Sequence, residues 1–133
     1  MSKFLVLRDT ISCGFPSPAS DYAEASLDLH ELLIEHKSAT FFVRVQGDSM
    51  INAGILDGDL LIVDRSIQPE NNSIVIAVIE GDYTVKRLKK EGDEVLLVPE
   101  NDLYKPIKLM PDTDVSFWGV VIHAIHTFKS RAK

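Results

Sequence analysis

Apolar residues after Thr40 occur in short runs, several of which alternate with polar positions and are rich in β-branched and aromatic side chains. Runs of this composition predict β-strands. The last of them is long enough for two strand segments, and Gly119 inside it predicts a kink between them. The pattern therefore predicts a mostly-β domain of folded-over sheets. Its strand candidates are residues 40–46, 59–64, 73–79, 83–89, 94–99 and 114–128.

The connections between these runs have the composition of tight turns. An acid–Gly–acid triplet occurs at residues 57–59, 80–82 and 91–93, and the last two lie between strand candidates. Glycine adopts positive φ without steric cost, as the tight turns of hairpins require. These triplets therefore predict hairpins within the β domain.

The first 25 residues have a different composition. The stretch "CGFPSPASDYAEAS" combines prolines, serines and a glycine, which favours extended and turn conformations over regular ladders. We therefore expect an extended arm over residues 1–25 and the β domain over residues 26–133.

A short helix is predicted at the start of the β domain. Asp28 is a suitable N-cap residue, and Leu29, Leu32 and Leu33 follow it at helical spacing. No other part of the chain carries a comparable helical pattern, so this helix is a small addition to a β fold.

Length and charge limit the classes of function. The chain has 133 residues, of which 45% are hydrophobic and 26% charged, as in an ordinary soluble domain. Its formal net charge of −6 argues against a protein that grips DNA or RNA phosphates itself. We therefore expect no direct sequence-specific DNA binding.

The cellular compartment is indicated by what the sequence lacks. A single cysteine cannot form an intrachain disulfide, so nothing requires an oxidising compartment. No apolar run approaches the length that spans a bilayer, and the first one is too short for a signal peptide. These features predict a cytoplasmic protein without membrane association.

Most familiar catalytic constellations have no support in the sequence. The four histidines, at positions 30, 36, 123 and 126, are better interpreted as ordinary surface or core residues than as catalytic groups. No Cys/His cluster indicates a metal site, and no glycine-rich loop indicates a bound nucleotide. We therefore expect neither metal nor cofactor.

One serine and one lysine remain as candidates for chemistry. Ser49, in "VQGDSM", follows a strand candidate, and a serine hydroxyl can be activated by a neutral lysine amine. Lys86 is the best-placed lysine because it lies inside a strand candidate, with Thr84 and Leu88 on the same face. From these residues alone, an ordinary turn serine is the better interpretation of Ser49, and an exposed strand lysine is the better interpretation of Lys86.

Four stretches of the chain carry a family resemblance: "CGFPSPASDY", "GDSMINAGILDGDLLIVD", "IVIAVIEGDYTVKRL" and "FWGVVIH". They closely resemble the LexA/UmuD family of self-cleaving serine peptidases, which use a Ser–Lys dyad. The resemblance implies the folded β-sheet architecture of that family's C-terminal domain. By position it implies that Ser49 is the nucleophile, Lys86 the general base and Cys13–Gly14 the bond that is cut.

Such a reaction also needs donors for the tetrahedral oxyanion. The backbone N–H groups of Ser49 and Asp48, at the turn, are the predicted donors. Gly14 has no side chain and Cys13 a small one, which would let the backbone enter a tight cleft.

The resemblance implies partners as well. They are a RecA filament on single-stranded DNA, which stimulates self-cleavage, a second copy of the chain in a homodimer, and a UmuC-type Y-family DNA polymerase. The processed chain would serve that error-prone translesion polymerase in SOS mutagenesis.

Two other functions also fit parts of the sequence. The first is a non-cleaving dimeric interaction module that regulates a polymerase, and the second is a signal-peptidase-like enzyme. The absence of a membrane anchor argues against the second. A DNA-binding repressor is also not expected, because the twelve residues before Cys13 cannot hold a helix-turn-helix domain.

Overall fold

A computed structural model describes residues 4–7, 13–14 and 24–129 of the chain. The chain divides into two units, residues 1–35 and 36–133. Much of the predicted arm, residues 8–12 and 15–23, lies outside the described residues, so the arm stays a prediction.

The first unit contains two strands and the predicted helix. Strand β1 (Phe4–Leu7) pairs antiparallel with β2 (Glu24–Leu27), a pairing that the sequence did not predict. Helix α1 (Leu29–Leu33) follows, and the Asp28 carboxylate caps it by accepting a 3.0 Å hydrogen bond from the His30 N–H. The helix prediction is confirmed. None of the described helices is long and apolar enough to cross a membrane.

The second unit is a seven-stranded antiparallel sheet with the order β3-β4-β9-β5-β6-β7-β8. Short 3₁₀ helices at Lys37–Ala39 and Ile51–Ala53 flank β3. All six strand candidates are confirmed as strands, and β8 is an addition. The strands are β3 (Thr40–Arg44), β4 (Leu60–Asp64), β5 (Ile74–Ile79), β6 (Asp82–Glu91), β7 (Glu94–Val98), β8 (Ile107–Leu109) and β9 (Val115–Ile125).

Strand β9 corrects one prediction. It is a single strand between β4 and β5 rather than two segments kinked at Gly119. The glycine instead marks a bulge, because Gly119 pairs with Ile76 while Phe117 pairs with the next residue of β5. A Cβ at Gly119 would lie 2.7 Å from a methyl carbon of Val63, so only glycine allows β4 and β9 to approach this closely.

The core lies on both faces of the sheet. Successive residues of β5 belong to different buried clusters: Ile76 packs in one, whereas Val75 and Ala77 pack in the other. Met50, directly after Ser49, belongs to the first cluster and is only 2% exposed. Because burying such a side chain contributes about 1.5–3 kcal/mol, Met50 anchors the turn that carries Ser49 to the core.

Candidate active site

The sequence folds sharply just before Ser49. Beyond β3 the chain still pairs with itself, since Val45 exchanges backbone hydrogen bonds with the 58–59 segment. Gly47 then adopts φ +102°, a conformation that favours glycine, and its N–H donates to the Asp57 carboxylate at 2.7 Å. The chain therefore turns at Gly47, beyond the end of β3 at Arg44, and Ser49 lies in this turn.

Strand β6 brings Lys86 to this turn. The Lys86 Nζ lies 3.1 Å from the Ser49 Oγ, although the two residues are 37 positions apart in the chain. Nζ also donates to the Thr84 Oγ1 at 2.7 Å and to the Val85 carbonyl oxygen at 3.1 Å. The structure thus places the two candidate residues within hydrogen-bonding distance of each other.

The surroundings of Lys86 favour its neutral form. Burial lowers the pKa of the Lys86 amine below the usual 10.5. Within the described ranges, no carboxylate forms an ion pair with Nζ, and its hydrogen-bond partners are all uncharged oxygen atoms. An amine in this environment can accept a proton from a neighbouring hydroxyl.

Ser49 and Lys86 line a cleft with a volume of about 610 Å³. The side chains around them are mainly apolar or aromatic and come from β3, β5, β6, β9 and the segment that carries Ser49. They include Phe41, Val43, Tyr83, Val85 and Trp118. A cleft of this size and lining can take a short segment of peptide chain.

The predicted oxyanion donors lie in the same turn. The Asp48 carbonyl oxygen accepts from the Asn101 side chain at 2.9 Å, and the Ser49 carbonyl oxygen accepts from the Glu100 N–H at 2.8 Å. In the part of the chain that the structure describes, no acceptor bonds the N–H of Asp48 or Ser49. The role of both groups as oxyanion donors stays a prediction.

Cys13 and Gly14 belong to the first unit, and both are exposed. The Cys13 thiol is free. That the peptide bond between them is cut stays a prediction.

Two histidines have partners that the sequence did not predict. The His36 Nδ1 lies 2.6 Å from the Asp64 carboxylate, and the His126 Nδ1 lies 2.5 Å from the Asp59 carboxylate. Both acids are buried at the ends of β4. Among the described residues, no group of three His, Cys, Asp or Glu side chains could hold a metal ion.

Comparison with known proteins identifies the family. The Peptidase S24-like family profile matches residues 5–122. The chain belongs to this family. Membership supports a peptidase of the self-cleaving kind, and it confirms both the resemblance to the LexA/UmuD family and the fold class that the sequence predicted.

Several relatives cover most of the chain. Protein ImpA of Salmonella typhimurium is 47% identical over 121 residues, which are 91% of this chain and 82% of ImpA. Protein MucA of Escherichia coli is 46% identical over 86% of this chain and 79% of MucA. LexA repressor 2 of Pseudomonas syringae pv. tomato is 46% identical over 71% of this chain and 49% of the repressor. ImpA and MucA are UmuD-family proteins.

Proposed function

We propose that this protein is a Ser–Lys peptidase that cuts its own Cys13–Gly14 bond. The observation that carries the proposal is the 3.1 Å distance between the Lys86 Nζ and the Ser49 Oγ, at a lysine that burial makes easier to neutralise. The peptidase family to which the chain belongs supports the same reaction.

The proposed reaction uses the side chains of Ser49 and Lys86 and the backbone of the turn. Neutral Lys86 accepts the Ser49 hydroxyl proton, and the Oγ attacks the Cys13 carbonyl carbon of the same chain or of a second copy. The N–H groups of Asp48 and Ser49 stabilise the oxyanion that forms. The Lys86 ammonium then donates its proton to the Gly14 amine as the peptide bond breaks, leaving Cys13 esterified to Ser49.

Water completes the reaction. A water molecule gives a proton to Lys86 and attacks the ester, which releases residues 1–13 and regenerates the Ser49 hydroxyl. The product is residues 14–133. When the cleaved bond belongs to the same chain or to the second copy in a dimer, the effective substrate concentration is high, and a modestly activated serine suffices.

The proposal extends to partners. A RecA filament on single-stranded DNA stimulates cleavage by favouring the state in which the arm occupies the cleft. The processed chain, as a homodimer in the cytoplasm, then serves a UmuC-type Y-family polymerase in translesion synthesis during SOS mutagenesis. UmuD-family relatives such as ImpA and MucA support this role.

A second candidate is a non-cleaving dimeric interaction module that regulates a polymerase. It requires no pairing of Ser49 with Lys86. The close approach of the two side chains inside a cleft therefore favours the peptidase.

Mass spectrometry of the purified full chain tests the proposal. With a RecA–single-stranded DNA–nucleotide complex, or at rising pH, the chain should lose residues 1–13. The rate should increase with pH because Lys86 must lose its proton. Ser49→Ala and Gly14→Glu should both stay intact, the first for lack of the nucleophile and the second because a charged side chain would have to enter the cleft.

The outcomes separate the parts of the proposal. A product from Ser49→Ala would refute the dyad, and normal cutting of Gly14→Glu would place the cleaved bond elsewhere. An intact wild-type chain at every pH, with and without RecA, would favour the non-cleaving module.

A further inference from the structure

One segment beyond the predicted site residues holds the turn that carries Ser49. It is residues 100–104, between β7 and β8. The Asn101 Nδ2 donates to the Asp48 carbonyl oxygen at 2.9 Å, and the Glu100 N–H donates to the Ser49 carbonyl oxygen at 2.8 Å. The Tyr104 hydroxyl donates to the Asp48 carboxylate at 2.6 Å. Three hydrogen bonds therefore connect this segment to two residues of the turn.

The bond from Asn101 acts on a specific peptide group. The Asp48 carbonyl and the Ser49 N–H belong to one planar trans peptide unit, in which the two bonds point in opposite directions. Donation to the carbonyl from one side therefore fixes the direction of the N–H on the other side. It also polarises the peptide unit, which makes the N–H a stronger donor.

Asn101 is itself held in place. Its Oδ1 accepts from the Leu103 N–H at 3.0 Å, and its carbonyl oxygen accepts from the Tyr104 N–H at 3.1 Å. Because Oδ1 is used as an acceptor within the segment, the amide nitrogen must face the Asp48 carbonyl. The donor is thus oriented before any substrate arrives.

The segment is also tied to the strand that carries Lys86. The Arg87 Nε lies 2.5 Å from the Glu100 carboxylate. Since Arg87 directly follows Lys86, one short segment contacts both the strand of the proposed base and the turn of the proposed nucleophile.

We propose that Asn101 is a positioning residue that aims the Ser49 N–H at the oxyanion. This inference rests on the proposed self-cleavage and adds a residue that the sequence did not single out. Asn101 makes no hydrogen bond to the Lys86 amine. It acts through the peptide unit between Asp48 and Ser49. Among the described residues, no other side chain donates a hydrogen bond to the carbonyl oxygen of that unit.

Two variants test the inference in the full chain. Asn101→Asp keeps the acceptor for Leu103 but removes the donor to Asp48, and Asn101→Ala removes the donor without adding charge. Leu103→Asp is the matched control, because it adds the same charge at a residue that is 86% exposed and leaves the bonds of Asn101 in place.

The first measurement is the backbone amide NMR resonance of Ser49. A Lys86→Ala background keeps the chain intact. Each Asn101 variant should shift the Ser49 amide more than any amide outside residues 47–50 and 99–104, whereas Leu103→Asp should not. An unmoved Ser49 amide overturns the inference, whether or not the wild-type chain cuts itself.

The second measurement is the rate of self-cleavage with Lys86 present. Both Asn101 variants should be slower by about 10- to 100-fold, less than the roughly 10²–10³ lost when an oxyanion donor is removed outright. For Asn101→Ala the pH midpoint of the rate and the melting temperature should match those of the wild type. A wild-type rate, or a rate loss that only follows a lower melting temperature, overturns the inference. Cutting of Ser49→Ala would instead overturn the proposed function and leave the amide resonance to decide the role of Asn101.

Discussion

Charged groups are buried in two regions of the second unit, and their surroundings differ. At the ends of β4, Asp59 and Asp64 are at most 1% exposed, and each carboxylate is bonded on both oxygens. In the cleft, the half-buried Lys86 amine meets only uncharged oxygen atoms. The carboxylates have partners that stabilise their charge, and the amine has no anionic partner.

This difference decides what each group can do. Burial by itself raises the pKa of Asp64, but hydrogen bonds from Ser66 and His36 outweigh it and lower the pKa overall. Burial lowers the pKa of Lys86, and no anion opposes it. The Asp64 carboxylate therefore stays ionised and supports the fold, whereas the lysine is readily neutralised and can act as a base.

Lys86→Arg should have the largest effect. Arginine keeps a permanent positive charge, so it cannot accept the Ser49 proton. We expect the rate of self-cleavage to fall by more than about 10³-fold, since nucleophile activation is lost with the base. The rate is measured by mass spectrometry, as the conversion of the full chain to the product of residues 14–133.

Lys90→Arg is the matched control. Lys90 is exposed and lies four positions after Lys86, on the same face of β6. It should cut at the wild-type rate. Cleavage by Lys86→Arg at more than a few per cent of the wild-type rate would mean that another group removes the proton.

Thr84→Glu would give the Lys86 amine a partner of opposite charge, as the carboxylates at the ends of β4 have histidine partners. A carboxylate near the Lys86 amine should raise the pKa of Lys86, since an opposite charge nearby shifts a pKa by about 1–3 units. The pH midpoint of self-cleavage should move upward accordingly. The pH–rate profile of the full chain measures this shift.

Thr84→Val changes the same position in the opposite sense. It removes a neutral acceptor that favours the ammonium, so the midpoint should move slightly downward. Midpoints that shift in the same direction for both variants would contradict the assignment of the profile to Lys86.

His36→Ala would remove the histidine partner of the buried Asp64 carboxylate. It removes the partner of one Asp64 oxygen, and leaving a buried acceptor unsatisfied costs about 1–3 kcal/mol of unfolding free energy. Urea unfolding at pH 7 measures the loss. His123→Ala is the control, because within residues 24–129 no hydrogen bond or ion pair involves that side chain.

The pH dependence of the same variant follows from the sign of the pKa shift. Asp64 has a lowered pKa when folded, so its contribution to stability is complete above about 3.8 and is lost as the pH falls through the folded value. Removing His36 raises the folded pKa. Acid unfolding of His36→Ala should therefore begin at a higher pH than in the wild type, and an unchanged acid midpoint would show that the pair does not stabilise the fold.

Most of the sheet could be predicted from local patterns. Strands β3 to β7 follow runs of β-branched residues, and the turn between β5 and β6 has the positive φ at Gly81 that a glycine there predicts. The positive φ of Glu80 in the same turn was not predicted, because residues with a side chain rarely adopt it. Strand β8 was missed because it has only three residues. Gly119 was recognised as special, but its role depends on the close approach of Val63, which no local pattern contains.

The candidate site was less predictable. Ser49 and Lys86 were identified by residue type and family resemblance, whereas Asn101 and the His36–Asp64 pair carry no signal in the sequence. Their importance depends on contacts between segments far apart in the chain, such as the 53 positions that separate Asp48 from Asn101. Periodicity and turn composition describe neighbours along the chain and contain no information about such contacts.

The sequence by itself determined the short strands, the glycine turns and the presence of one serine and one lysine suited to dyad chemistry. Only the tertiary structure decided that Lys86 lies 3.1 Å from Ser49, in a cleft that lowers the pKa of its amine. The physical reason is that a pKa depends on the solvent and charges around a group. Those surroundings are supplied by β3, β6 and β9 only after they have packed together.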